Sequence, residues 1–347
     1  MYESFAIRHF KLFREFRIDG FQRVNLVTGR NNVGKTALLE ALFIHSGAAN
    51  IHLPFTIEAL RGVTQGEASP DLGLAGLFNN FDTSPLIELE GIDKIGIKRV
   101  CTLKVIPVST TLEPTAEGGG SVARGQGVEI TFIDISSQQH VSSRAAFEKG
   151  ELRLDPLPIP PTYVGVIVSA KGHSHKADAE RFSELVKNKD EEEKLVDAIR
   201  VIEPSVRALR LLTHGGMAMI HVDVGLRRFL PLAYAGEGMA RLASILVAVA
   251  SSKNGVVFID EFENGIHYTV LPKMWTAVAE FAERFNAQVF ATTHSAECVR
   301  AAHQAFSGRD YTFRLFRLDR SSDGDIRAMT FGKDAVEAAL KTDLELR

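Results

Sequence analysis

The sequence predicts an α/β fold with a largely parallel core sheet. Three observations carry that prediction. Near the start, a glycine-bounded loop, Gly29-Arg30-Asn31-Asn32-Val33-Gly34-Lys35-Thr36, joins a short apolar run to an apolar helix. Far downstream, the apolar run Val256–Ile259 ends in two acids, Asp260 and Glu261. One helix later comes another apolar run, Gln288–Thr292. Continuous apolar strands alternating with helices are what parallel strands covered on both faces require.

Element by element, Tyr2–Phe10 and residues 13–18 alternate apolar and polar positions, as half-buried strands do. Val24–Thr28 reads as a short strand, and TALLEALFIHSG as a helix with Gly47 at its end. The middle carries β-type runs, LIELEGI, VCTLKVIPV and VEITFIDI, with the Gly-, Ser- and Thr-rich stretch 109–127 expected as a mobile loop. The Pro-rich stretch 155–163 is expected as an irregular connector. Residues 175–202 suggest two helices broken near 188–190, with the acidic run 190–193 at a helix start, where the macrodipole favours it. Residues 238–251 and 271–285 read as helices, and the strands around SSDG as a hairpin before a terminal helix at 335–341.

Composition bounds the function. The chain has 347 residues, 45% hydrophobic and 24% charged, which is enough apolar surface for a large core. A net charge of -3 gives no global attraction to nucleic acid, although residues 1–35 hold seven Lys and Arg against three Asp and Glu. The two cysteines, Cys101 and Cys298, neither staple a secreted fold nor show zinc-ligand spacing. No apolar stretch reaches the ~20 residues of a membrane span, so a cytoplasmic protein is expected, with no membrane partner.

The loop at 29–36 fits G-x-x-x-x-G-K-[ST]. Gly29 and Gly34 let the backbone curl so that N–H groups around Asn31, Asn32 and Val33 point at phosphate oxygens. The helix that follows, through Thr36 and Ala37, offers its positive end. Lys35 is expected to reach the β- and γ-phosphates of a nucleotide, and the Thr36 hydroxyl to hold Mg²⁺. At the end of its strand, Asp260 is placed to hold Mg²⁺ through its water shell, and Glu261 to orient or deprotonate the attacking water. His294, just past a third strand end, is expected beside Glu261 and in reach of the γ-phosphate. Gly236, Glu237 and Gly238 precede a long apolar helix, again an anion-binding arrangement.

These motifs, in this order, resemble the ATP-binding-cassette type of ATPase, and more narrowly the RecF/OLD-like AAA ATPases. The residues that carry the resemblance are FAIRHFKLFREFRI before GRNNVGKT, then LPLAYAGEGMARL, VVFIDEFENGIHY and QVFATTHSAEC, with LELR as the ending. It is clear over residues 1–47 and 205–305. Two positions depart from the pattern: Ala235 stands where the signature usually begins with Ser, and the Gln that normally lies between phosphate loop and signature has no clear match. Asn79 or Asn80 is its substitute here, with Asn80 as a further metal ligand.

The resemblance implies an ABC/RecF-like P-loop ATPase with a mostly parallel core sheet, an antiparallel β subdomain and a helical insertion. It divides one domain, 1–347, into an N-terminal lobe (1–60), a β-rich part (61–170), the helical insertion (171–215), a part with signature, acids and switch His294 (216–310), and a C-terminal hairpin and helix (311–347). It implies ATP and Mg²⁺ as cofactors and a head-to-tail homodimer or higher even oligomer. In it, Gly236 and Gly238 contact the γ-phosphate bound by the opposite copy. Family position suggests Lys11 for the adenine contact, with core packing of its aromatic neighbours as the alternative reading. Relatives often carry a Toprim nuclease domain. Only 53 residues follow His294, and Asp323-Gly324-Asp325 fits Asp-x-Asp in a hairpin turn. The implied role is therefore the ATPase subunit of an anti-phage defence or DNA-processing system with a separate nuclease-like effector. The alternative is a RecF-like clamp that binds DNA in repair.

Overall fold

The computed structural model describes residues 1–61, 74–111, 122–148, 151–154, 163–170 and 174–341. Its centre is a six-stranded sheet. In chain order its strands are β3 (Val24–Thr28), β9 (Gly165–Val168), β13 (Val256–Ile259), β14 (Gln288–Thr292), β15 (Phe313–Arg320) and β16 (Ile326–Phe331). In space the order is β16-β15-β3-β14-β13-β9, parallel except for the antiparallel edge strand β16. Every residue of β3, β13 and β14 is buried, which explains why these runs are apolar without alternation. The SSDG hairpin is the β15–β16 pair.

A second sheet is antiparallel: β2 (Phe13–Asp19), β1 (Tyr2–Phe10), β4 (Ile87–Asp93), β5 (Lys98–Thr111), β6 (Val122–Asp134), β7 (Gln139–Glu148) and β8 (Glu151–Leu154), in that spatial order. Helix α1 (Lys35–Ser46) touches strands of both sheets and is buried continuously from Ala37 to Ser46. A helix buried all round needs no polar stripe, and TALLEALFIHS has none. The sheets are also stitched directly. Gln288 in β14 accepts from the Tyr2 N–H (2.8 Å) and donates from its side chain to the Tyr2 carbonyl (2.9 Å).

On the other face of the core sheet lie α5 (Glu237–Ser251), buried from Met239 to Ala250, with α6 (Leu271–Arg284) and α7 (Ala296–Ser307). Two helices, α3 (His175–Leu185) and α4 (Lys189–Arg200), pack outside α5. Asn188 caps α4 by accepting from the Asp190 N–H, and Asp190, Glu191 and Glu192 fill its first turn. A small sheet of β10 (Ala208–His214), β11 (Met217–Asp223) and β12 (Leu230–Pro231) leads into α5. Helices α2 (His52–Leu60) and α8 (Lys333–Lys341) complete the described elements.

Three expectations change. The loop expected at 109–127 is strand at both ends, since β5 runs to Thr111 and β6 starts at Val122; residues 112–121 lie outside the described residues. The stretch 165–168, expected in the antiparallel part, is β9, paired in parallel with β13. The helical insertion 171–215 ends in strand β10. Most of the Pro-rich connector (155–162) and the LELR ending (342–347 contain it) lie outside the described residues.

At the far end of α1, His45 is buried. Its Nδ1 lies 2.7 Å from the Tyr2 hydroxyl and its Nε2 3.1 Å from the Arg99 carbonyl. The carbonyl can only accept, so Nε2 carries the proton and Tyr2 donates to Nδ1. Gly91 makes room for both rings, for a Cβ there would stand 2.7 Å from His45 and 2.8 Å from Tyr2. Burial pushes the His45 pKa down from 6.5 to about 4. The unfolded chain therefore binds the extra proton first, so stability is full above pH ~6.5 and falls as pH drops toward 4. His45→Gln keeps one donor and one acceptor but does not titrate. Urea unfolding at pH 7 and pH 4.5 is expected to show the wild type losing roughly 2 kcal/mol more than the variant; equal losses would refute the neutral buried imidazole.

Candidate active site

The carboxyl ends of β3, β14 and β13 lie level in register: Val27 pairs with Thr292, and Ile259 with Ala291. Whatever follows each strand therefore meets at one sheet edge. Gly29 follows β3 at φ +137°, where a Cβ would sit 2.4 Å from the Leu318 carbonyl oxygen; only glycine fits against that backbone. Gly34, at φ +94°, opens α1 without a side-chain cap, so the first-turn N–H groups are left for an anion. Asn32 takes the left-handed region, φ +62°, which Asn tolerates. The Val33 side chain is buried and supports the loop from inside.

The Lys35 ammonium bends back over the loop, donating to the carbonyls of Gly29 (2.6 Å) and Arg30 (2.9 Å). Burial lowers its pKa, while Asp260, Glu261 and Glu263 pull the other way. Thr36 donates its hydroxyl to Asp260, with oxygens 3.0 and 3.2 Å away. A hydroxyl and a carboxylate in contact are hard oxygen donors. They form the small protein set that Mg²⁺ takes when substrate phosphates and water fill its shell, so these two residues fit that ion.

Two further residues fix the acids. Thr292 donates its hydroxyl to Asp260 (2.7 Å) and accepts from the Glu261 N–H (2.8 Å). Buried Arg241, from α5, donates to the carbonyls of Asp260 (2.6 Å), Glu261 (3.1 Å) and Ser169 (2.6 Å). Between these holds Glu261 stands at φ +48°. Its side chain lines a cleft of about 950 Å³ together with Asn31, Asn32, Lys35, Thr36, Ala37, Asp260 and His294. His294 donates its N–H to Glu263 (3.1 Å). The expected phosphate-loop residues, both acids and His294 are thus brought together.

Two expected positions are not. The Lys11 ammonium is 3.0 Å from both Glu40 and Glu58, and its side chain is only 8% exposed, so its charge is engaged by carboxylates and not offered to a base. Phe10 and Phe13 are core residues. Asn80, at φ +54°, lines a neighbouring cleft of about 550 Å³ with Lys11 and Phe81 and is absent from the lining around Thr36 and Asp260, so it is not a ligand to the same ion. Gly236, Glu237 and Gly238, expected to face the nucleotide of a second copy, do not line this copy's cleft. Gly236 caps α5 at φ +121° in open space, and the Glu237 side chain packs against Gly265. Sequence reasoning missed Thr292, Arg241, Glu263 and the Glu40–Arg61 pair at 2.7 Å beside the cleft. Of these, only Thr292 carried a signal, as a hydroxyl at a buried strand end.

The family model described as "AAA domain, putative AbiEii toxin, Type IV TA system" matches residues 127–300, the segment with the α5 start, both acids and His294. A curated relative, "ATP/GTP phosphatase" of Helicobacter pylori (strain ATCC 700392 / 26695), is 24% identical over 363 residues, covering 96% of each chain. Among solved structures, an SMC head bound to the C-winged helix domain of ScpA superposes with a TM-score of 0.51 at 14% identity, over 98% of this chain and 99% of that one, a likeness of fold. The matched segment is half of the chain, and the chain belongs to this AAA-domain family: it is an ATPase of ABC-like P-loop fold.

Proposed function

We propose that this ATPase is a switch in which two copies close head-to-tail around ATP and hydrolysis parts them. One observation carries the reading. The open, uncapped helix end at Gly236, Glu237 and Gly238 lies outside the chain's own cleft, which already holds a phosphate loop, an ion-binding pair and a water-activating carboxylate. A helix end that offers its N–H groups away from the chain's own phosphate loop is suited to the γ-phosphate held by a second copy. In the cleft, the loop N–H groups and Lys35 hold the phosphates, and Thr36 and Asp260 would hold Mg²⁺, which draws charge from the phosphate oxygens. Glu261 takes a proton from the attacking water, and His294 faces the γ-phosphate from the next strand end. The closed and open states then differ by the contacts that the γ-phosphate makes.

The system that such a switch serves is proposed as bacterial defence or DNA processing, acting on a separate nuclease-like effector in the cytoplasm. The toxin–antitoxin wording of the family supports it, and the SMC head with its bound winged-helix partner gives a precedent for docking on this fold. GTP is a second candidate substrate, from the name of the curated relative. A RecF-like DNA clamp is the second reading, favoured by exposed Arg227 and Arg228 ahead of α5. The basic bias of residues 1–35 supports it less than it promised: Arg8, Lys11, Arg14 and Arg17 are all paired with carboxylates. ATP-stimulated, salt-dependent duplex binding would favour the clamp.

Two measurements test the core reading. Lys35→Ala is expected to abolish the ATP-dependent rise in melting temperature; a rise equal to wild type would remove the phosphate loop from the site. Glu261→Gln is expected to lose turnover and to double in mass with ATP and Mg²⁺ in mass photometry. Wild-type turnover would exclude Glu261 as the carboxylate in action, and an unchanged monomer mass would exclude closure by a second copy.

A further inference from the structure

Arg241 lies one turn into α5, directly behind Gly236, Glu237 and Gly238. It is 3% exposed, and among the described residues no carboxylate stands within ion-pair distance of it. Its donated bonds go only to backbone carbonyls at two adjacent strand ends, Ser169 after β9 and Asp260 and Glu261 after β13, and its Nε finds no acceptor. A buried guanidinium held in this way costs stability, because carbonyls offset its desolvation less completely than a carboxylate does. The contacts it makes are more specific than its energetics would recommend. Glu261 occupies the left-handed region, which non-glycine side chains avoid unless the surroundings enforce it. Its N–H is held by Thr292 and its carbonyl by Arg241. The same helix end meets the following segment again at Gly265, where a Cβ would collide with the Glu237 side chain.

We infer that Arg241 is a positioning residue for Glu261, and that it ties the aim of this carboxylate to the seating of the Gly236, Glu237 and Gly238 helix end. This rests on the reading of Glu261 as the water-activating group and of that helix end as the part facing a second copy. A shift of α5 on closure moves the guanidinium, and with it the two carbonyls that fix the backbone of Asp260 and Glu261. Hydrolysis is thereby conditioned on contact with a second copy, and ATP binding by Lys35 and the loop is not.

Arg241→Lys tests it, since one ammonium nitrogen replaces the fork by which Nη1 reaches Ser169 and Nη2 reaches Asp260 and Glu261. In the folded variant, ATP affinity from a fluorescent analogue is expected to stay within about twofold while kcat falls at least ~tenfold, as small misplacements of a reacting group do. A kcat within twofold of wild type, or a loss confined to ATP affinity, would overturn the inference. Glu261→Gln, run alongside, separates the two levels: an inactive Glu261→Gln with a fully active Arg241→Lys defeats the role of Arg241 alone, whereas an active Glu261→Gln defeats the underlying reading. If Arg241→Lys does not fold, hydrogen exchange on the wild type decides. Segments 236–243 and 259–266 are expected to gain protection together when ATP and Mg²⁺ close the dimer. Protection of 259–266 at concentrations where the protein stays monomeric and 236–243 is unchanged would overturn the coupling.

Discussion

Strand β14 is hydrogen-bonded between β3 and β13, and the site depends on that placing. The phosphate loop and the acid pair lie more than two hundred residues apart in sequence, as the bond from Thr36 to Asp260 spans 224. Neither strand touches the other. The strand between them delivers Thr292, whose single hydroxyl accepts from the Glu261 backbone and donates to the Asp260 carboxylate, and Asp260 in turn receives Thr36. A one-residue slip of β14 would turn Thr292 to the opposite face and leave both acids without their common partner.

This also explains what was legible in the sequence. The phosphate loop could be read because its requirements are local: Gly29 and Gly34 answer to backbone angles and to one passing carbonyl or ring. Asp260 and Glu261 could be read because the strand that ends in them shares a chain with a phosphate loop; by itself, an apolar strand running into an acidic turn is common. Arg241 could not, since its role comes from helix–strand packing and leaves no pattern within its own segment, and Thr292 showed only as a hydroxyl at a buried strand end, its two partners being set by register. Lys11 illustrates the converse. Its position suggested a ligand contact, but Glu40 and Glu58 reach it from 29 and 47 residues away and engage the charge. Strand β9, four residues long, carries too little pattern to declare which sheet it joins.

The electrostatics of the site follow from the same geometry. Half-buried Lys35 and buried Arg241 both lie near Asp260, Glu261 and Glu263, and burial lowers the pKa of each against the pull of those acids. Positive charge is thus confined to the loop side and the helix side, with the acids between. Elsewhere in the N-terminal lobe, Arg8, Lys11, Arg14 and Arg17 are each matched with acids, so these four project little field beyond a few ångströms.

The burial of α1 between two sheets has a consequence for how the chain assembles. Of the antiparallel strands against it, β1 precedes the helix and β4 follows it soon after. The parallel strands on its other side come much later: Asn25 bonds to Val289 across 264 residues. At synthesis rates of about 5–20 residues per second, a largely apolar helix waits tens of seconds with one flank uncovered. Seating β14 between β13 and β3, the latter made at the outset, is a long-range closure, and the nucleotide site is complete only once it is made.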